Sequence, residues 1–184
     1  MKIGGILDKL KKGRKNIKDL RPPNEPGIYA VFATRRTDLG DFPAPAGEVL
    51  YIGSTGDLHG RELSNHCCSK GTGFSTLRRS LGAILKTRLR LTARHRGTGK
   101  SKADFYNYRF QDVGEKRLTE WMSDNLKIGV LPLAAEELDE LEKELIHQEI
   151  PVLNLKGNEG SPYKERIEKL RKKCSDEARR KFSP

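Results

Sequence analysis

Gly27-Ile28-Tyr29-Ala30-Val31-Phe32-Ala33-Thr34 and Glu48-Val49-Leu50-Tyr51-Ile52-Gly53 decide the fold. Both runs are short and rich in β-branched and aromatic residues, and the loop between them holds Pro43, Pro45 and Gly47. Such runs read as strands, and two strands joined through a Gly/Pro loop most simply pair antiparallel. Side chains alternate along a strand, so Tyr29 shares a face with Val31, and Tyr51 shares one with Val49 and Gly53. Opposed in register, the two phenols can stand close together, with Gly53 letting something large approach the backbone.

Working outward, Ser54-Thr55-Gly56-Asp57 reads as a turn and residues 58–68 as a helix with Asp57 as its N-cap. Leu77, Leu81, Ile84 and Leu85 mark a strongly basic helix around 75–89. The polar, basic, glycine-containing stretch 90–103 reads as a mobile loop, and the alternation in 104–110 (DFYNYRF) predicts a short strand. A helix around 115–125 carries Leu118, Trp121 and Met122, and 126–133 (LKIGVLPL) gives another strand.

The helix at about 135–149 carries the most chemistry. Leu138, Leu141, Leu145 and Ile146 form one stripe, with Glu137, Glu140, Lys143, Glu144 and His147 opposite. Glu142 falls within the apolar stripe. A carboxylate facing a core needs a partner: a bound cation, or an arginine if the residue sits at the stripe's edge. Pro151 and Asn154 close the helix, and residues 163–182 read as a charged helical tail. At the other end, Ile3, Ile6, Leu7 and Leu10 recur at helical spacing among lysines. That basic amphipathic helix, residues 2–12, fits either a membrane surface or docking on its own domain. Pro22-Pro23 and Pro26 end the arm.

A chain of 184 residues is long enough for one domain with a normal core. Its net charge of +11 makes a polyanion the default partner. The charge is patterned: Met1 to Arg21 carries +6, Arg78 to Ala103 carries +9 with no acid, and Gln111 to Ile150 carries −7. A cationic band beside an anionic segment favours oriented binding to phosphates. Three cysteines, Cys67 and Cys68 adjacent, build no disulfide framework and suit a reducing compartment. His59, His66, Cys67 and Cys68 lack the paired spacing that closes a tetrahedral zinc site. With no transmembrane run and no uncharged leader core, a cytoplasmic location is expected.

Taken together, these residues resemble the GIY-YIG nuclease superfamily over roughly residues 23–157. Gly27-Ile28-Tyr29 and Tyr51-Ile52-Gly53 stand as that family writes them. Tyr51 leads to Arg61 at the family's spacing, and 141–154 (LEKELIHQEIPVLN) is similar to its distal motif, an acid followed twelve positions later by asparagine. The resemblance implies a small α/β domain with a central, mainly antiparallel three-stranded sheet flanked by helices. Around it, residues 1–22 would be a basic arm, 23–157 the nuclease domain and 158–184 a basic helical tail. It also implies metal-dependent hydrolysis of DNA phosphodiesters. Carried across by position, Tyr29 and Tyr51 look like the paired phenols, Arg61 the catalytic arginine, Glu142 the metal ligand and Asn154 the distal asparagine. The alternative is a nucleic-acid-binding protein that keeps the scaffold without cleavage.

The implied roles are physically consistent. Phosphodiester hydrolysis adds negative charge to non-bridging oxygens, which a fixed guanidinium such as Arg61 stabilises most in the transition state. One carboxylate suits one hard divalent ion, Mg²⁺ or Mn²⁺, and no second acid is spaced for a two-metal clamp. A tyrosine, with a free pKa of about 10, is a poor base unless positive charge lowers it. Tyr51 and Tyr29 can fill the base and water-orienting roles in either order. Many family members carry a histidine soon after the arginine; His66 is the candidate here, with His59 another. Where some use a lysine after the second motif, this chain has Ser54 and Thr55. Arg78, Arg79, Lys86, Arg88, Arg90, Arg94, Arg96, Lys100 and Lys102 are expected to contact the DNA backbone, in a monomer or a homodimer.

Overall fold

A computed structural model of the chain describes residues 3–60 and 71–180. In chain order the described elements begin with α1 (Ile3–Gly13), β1 (Lys15–Asn16), β2 (Gly27–Ala33), β3 (Val49–Thr55) and α2 (Thr76–Ile84). There follow β4 (Ala93–Arg94), α3 (Lys102–Tyr106), β5 (Arg109–Phe110), α4 (Asp112–Asn125), β6 (Leu126–Pro132), α5 (Leu138–Glu149) and α6 (Lys164–Arg180). The chain separates into two units.

Unit 1 holds residues 3–60 and 122–164 of those described. All seven residues of β2 are buried, which is why GIYAVFA is apolar throughout rather than alternating. β2 pairs antiparallel with β3 on one side and β6 on the other, and β1 adds to the far side of β6. The order is therefore β1-β6-β2-β3, with β3 at an edge. The mainly antiparallel sheet flanked by helices is as expected, with a fourth, two-residue strand that Lys-Asn gives no sign of in sequence. Ile28, Ala30, Phe32 and Ile52 stand on one face and pack with Ile6, Leu7 and Leu10 of α1 and Leu138, Leu145 and Ile146 of α5. Of the two readings of the basic amphipathic helix, docking on its own domain holds. Gly129 makes room for it: any Cβ there would run into the Leu10 carbonyl.

Unit 2 holds residues 71–121 and 165–180 of those described. Leu77, Leu81, Tyr108, Phe110 and Leu118 are fully buried in it. Of the strand expected at 104–110, residues 104–106 instead complete a helix. Ser101 Oγ accepts from Asp104 N and the Asp104 carboxylate accepts from Ser101 N, and this reciprocal cap starts α3. Only Arg109–Phe110 stays extended, pairing with Ala93–Arg94 inside the stretch expected to be loop. The charged tail is helical over Lys164–Arg180, with Ile167, Arg171, Cys174 and Ala178 buried at three- and four-residue spacing.

Candidate active site

β3 gathers the site. Tyr29 lies directly opposite Gly53, and Tyr51 opposite Val31. The tyrosines are thus a diagonal pair on one face, with ring centroids 6.2 Å apart and planes inclined by 29°. A Cβ at position 53 would come within 2.5 Å of Tyr29 Oη and 2.6 Å of Cζ. The glycine of the second motif is therefore required by the phenol of the first, which lies across it. Tyr29 is only 2% exposed, whereas Tyr51 is half-buried.

Glu142 approaches the same strand from the helix side. It is half-buried, beside the apolar stripe of α5, and its Oε2 accepts a hydrogen bond from Ser54 Oγ. Ser54 pairs with Ile28 and so faces the α5 side, while Tyr51 and Gly53 face the other. The phenols and the Ser54-bound carboxylate thus lie on opposite faces of residues 51–54 of the edge strand β3. Among the described residues no arginine pairs with Glu142.

Asn154 holds that margin in place. α5 ends on Ile150, a left-handed residue at φ 44°, which turns the chain back toward β3. Leu153 N then donates to Leu50 O at 2.9 Å. Asn154 Oδ1 accepts from Ile52 N, and its Nδ2 donates to Ile52 O, both at 2.8 Å. One side chain does what a neighbouring strand would do, satisfying both backbone groups of the residue between Tyr51 and Gly53. Asn158, which the sequence reading passed over, supports it by donating to Pro151 O at 2.7 Å and Asn154 O at 3.0 Å. Its place four residues beyond Asn154 is the only signal in sequence that marks it.

A family model described as the GIY-YIG catalytic domain matches residues 28–173. The chain belongs to the GIY-YIG family. No curated protein and no solved structure matches it.

In this GIY-YIG chain the segment leading toward Arg61 is pinned. Thr55 Oγ1 accepts from Asp57 N at 3.1 Å, Leu58 N donates to Glu25 O at 2.8 Å, and His59 Nδ1 lies 3.1 Å from Pro22 O. Arg61 and His66 lie outside the described residues, as do Cys67 and Cys68.

Nuclease domains of this family typically use a divalent metal, and Glu142 suits one. It offers a hard oxygen, and its Oε1 carries no hydrogen bond among the described residues. No group of three or more His, Cys, Asp or Glu gathers among the described residues.

The nine basic residues of 78–102 divide sharply. Arg78, expected on the DNA backbone, is instead fully buried: its Nη2 donates to Glu115 Oε2 at 2.8 Å and its Nε to Thr72 Oγ1 at 3.2 Å. Glu115 also accepts from Thr72 Oγ1 at 2.6 Å and from Phe110 N at 2.9 Å, so the pair serves the fold. Lys86 is tied to Glu177 at 3.0 Å and Leu91 O at 3.0 Å. Arg88, Arg90, Arg94, Lys100 and Lys102 are exposed. Arg79 is buried and Arg96 partly so, and burial first, then the nearby Arg171 charge, lowers the Arg79 guanidinium to about 10. No helix among the described residues is long and apolar enough to cross a membrane.

Proposed function

We propose that this GIY-YIG chain is a metal-dependent DNA endonuclease cutting at the margin formed by residues 51–54. The observation that carries the reading is that the Tyr29–Tyr51 pair and the Ser54-bound carboxylate of Glu142 are all held by the same short stretch of the edge strand β3. A water oxygen attacks phosphorus as its proton passes to a phenolate, and one ester oxygen leaves with the electron pair of its bond to phosphorus and takes up a proton from solvent. Tyr51 suits that base role because it is the more accessible of the pair, whereas Tyr29, packed over Gly53, suits orienting the water. Arg61, by its sequence position, would grip the non-bridging oxygens with two parallel N–H groups. Glu142 would hold one Mg²⁺ or Mn²⁺, which when bound supplies Lewis-acid polarisation of a phosphate oxygen. Ser54 fixes the carboxylate's orientation, and Asn154 fixes the strand that carries Tyr51.

The test is supercoiled plasmid with Mg²⁺ or Mn²⁺, EDTA controls, and Glu142→Gln alongside the parent. Nicking or linearisation should fall by two orders of magnitude or more in the variant while DNA retention survives. If parent and variant both bind and neither cuts across metals and pH, the chain is a binding protein on a nuclease scaffold.

A further inference from the structure

Unit 2 contains a cluster of arginines that cleavage chemistry does not use. Arg79 Nη1 and Arg96 Nη1 donate to the same carbonyl, Gly73 O, at 3.0 and 3.3 Å, so two guanidiniums meet at one oxygen. Arg171, 8% exposed on α6, is a third, and its charge acts on Arg79. No carboxylate pairs with any of the three among the described residues. Arg79 Nε is buried with no hydrogen-bond partner, as is Ser80 Oγ beside it in sequence. Like charges in partial burial repel, and a donor without an acceptor is costly.

A purely structural role accounts for part of this. Arg79 Nη1 and Nη2 reach Gly73 O and Thr76 Oγ1, which steadies the turn before α2. It does not account for three cations gathered without an anion, nor for what lies beside them. Arg96 sits over the Phe74 ring at 5.0 Å and Arg171 over Tyr106 at 5.8 Å. Those rings are 61% and 65% exposed, the most exposed aromatic side chains among the described residues. Apolar rings left in water beside unpaired guanidiniums match one ligand chemistry, a nucleic-acid strand: phosphate for the cations, an unpaired base for each ring.

We propose that Arg79, Arg96 and Arg171 seat a phosphate of a nucleic-acid strand and that Phe74 and Tyr106 stack its unpaired bases. This rests on the nucleic-acid reading above and is independent of whether the chain cuts. The seat gives unit 2 the task of gripping single-stranded nucleic acid, a task that the charge of exposed lysines alone does not define.

Binding of a fluorescein-labelled dT12 oligonucleotide to the full chain, followed by anisotropy in EDTA over a salt series, tests it without cleavage. The Phe74→Ala, Tyr106→Ala double variant should weaken dT12 at least about five-fold and leave a 12-base-pair duplex little changed. Arg96→Gln should shrink the slope of log affinity against log salt by about 0.7. Equal affinity and slope in folded variants, or a parent that does not bind dT12, overturns the seat. A loss equal on duplex and single strand overturns the stacking faces. If Arg79 or Arg171 variants fail to fold, the surface rings and Arg96 still decide. A chain that shows this pattern yet never cuts plasmid keeps the seat and loses the nuclease reading; one that cuts with the rings indifferent does the reverse.

Discussion

At the scale of single residues, the side-chain amide of Asn154 is committed to the backbone of β3. Its amide makes two backbone bonds to Ile52, 102 positions away, and both would be lost in Asn154→Ala. Each buried group left unpaired costs roughly 1–3 kcal/mol, so the variant should lose about 2–6 kcal/mol in urea denaturation, and plasmid cleavage should fall because Tyr51 is no longer held. Gly53→Ala separates the effects the other way. The added methyl strikes the end of the Tyr29 ring, so the phenol must move. The overpacking should cost about 1–3 kcal/mol in stability, and cleavage should fall more steeply than the melt predicts, by ten-fold or more. A variant as active as the parent would mean that the Tyr29 position does not matter. Tyr29, Tyr51 and Glu142 were legible in sequence because each breaks a local pattern or fills a fixed spacing. The bond from Asn154 to Ile52 was not, since nothing near either residue announces a partner a hundred positions off.

At the scale of elements, legibility follows how locally each is stabilised. α1 could be read from Ile6, Leu7 and Leu10, and the wheel placed Leu138, Leu145 and Ile146 on the buried side of α5. β1 could not, because Lys15–Asn16 has no strand preference and is extended only where α1 delivers it to β6. The alternation in 104–110 misled for the opposite reason: the cap at Ser101 is local and strong, and it outweighs the aromatic pattern. Because α1 is core rather than appendage, deleting residues 1–13 should do more than reduce charge. Ile6 and Leu10 are fully buried, and at roughly 1.5–3 kcal/mol each their loss removes about 3–6 kcal/mol from a fold of ordinary stability. Circular dichroism and urea titration of the truncated chain should show a largely unfolded unit 1. A truncated chain that melts like the parent and loses only DNA affinity would return α1 to the status of a basic arm.

Across the whole molecule, net charge was legible while its availability was not. The acid-free run 78–102 reads as a continuous cationic band, yet Arg78 is cancelled by Glu115 and Lys86 by Glu177, acids supplied from distant sequence. Burial also sets how the chain responds to alkali. The Cys174 thiol is pushed up to about 11, chiefly by burial, and burial likewise raises the Tyr108 phenol well above its ordinary value. A group whose folded pKa is raised contributes stability that is complete below its unfolded pKa, about 8.5 for a thiol, and is lost as pH climbs toward the folded one. Arg79, lowered to about 10, acts in the opposite sense, since its burial penalty fades only above that pH. In the interval from pH 9 to 10 the thiol is the larger contributor, because an unfolded phenol, with a pKa of about 10, ionises mainly above it. Urea midpoints of the parent should fall across it, while Cys174→Ala should start lower, for want of the buried sulfur, and show a flatter trend. Parallel slopes in the two proteins would mean that Cys174 is not the group that couples alkaline pH to unfolding.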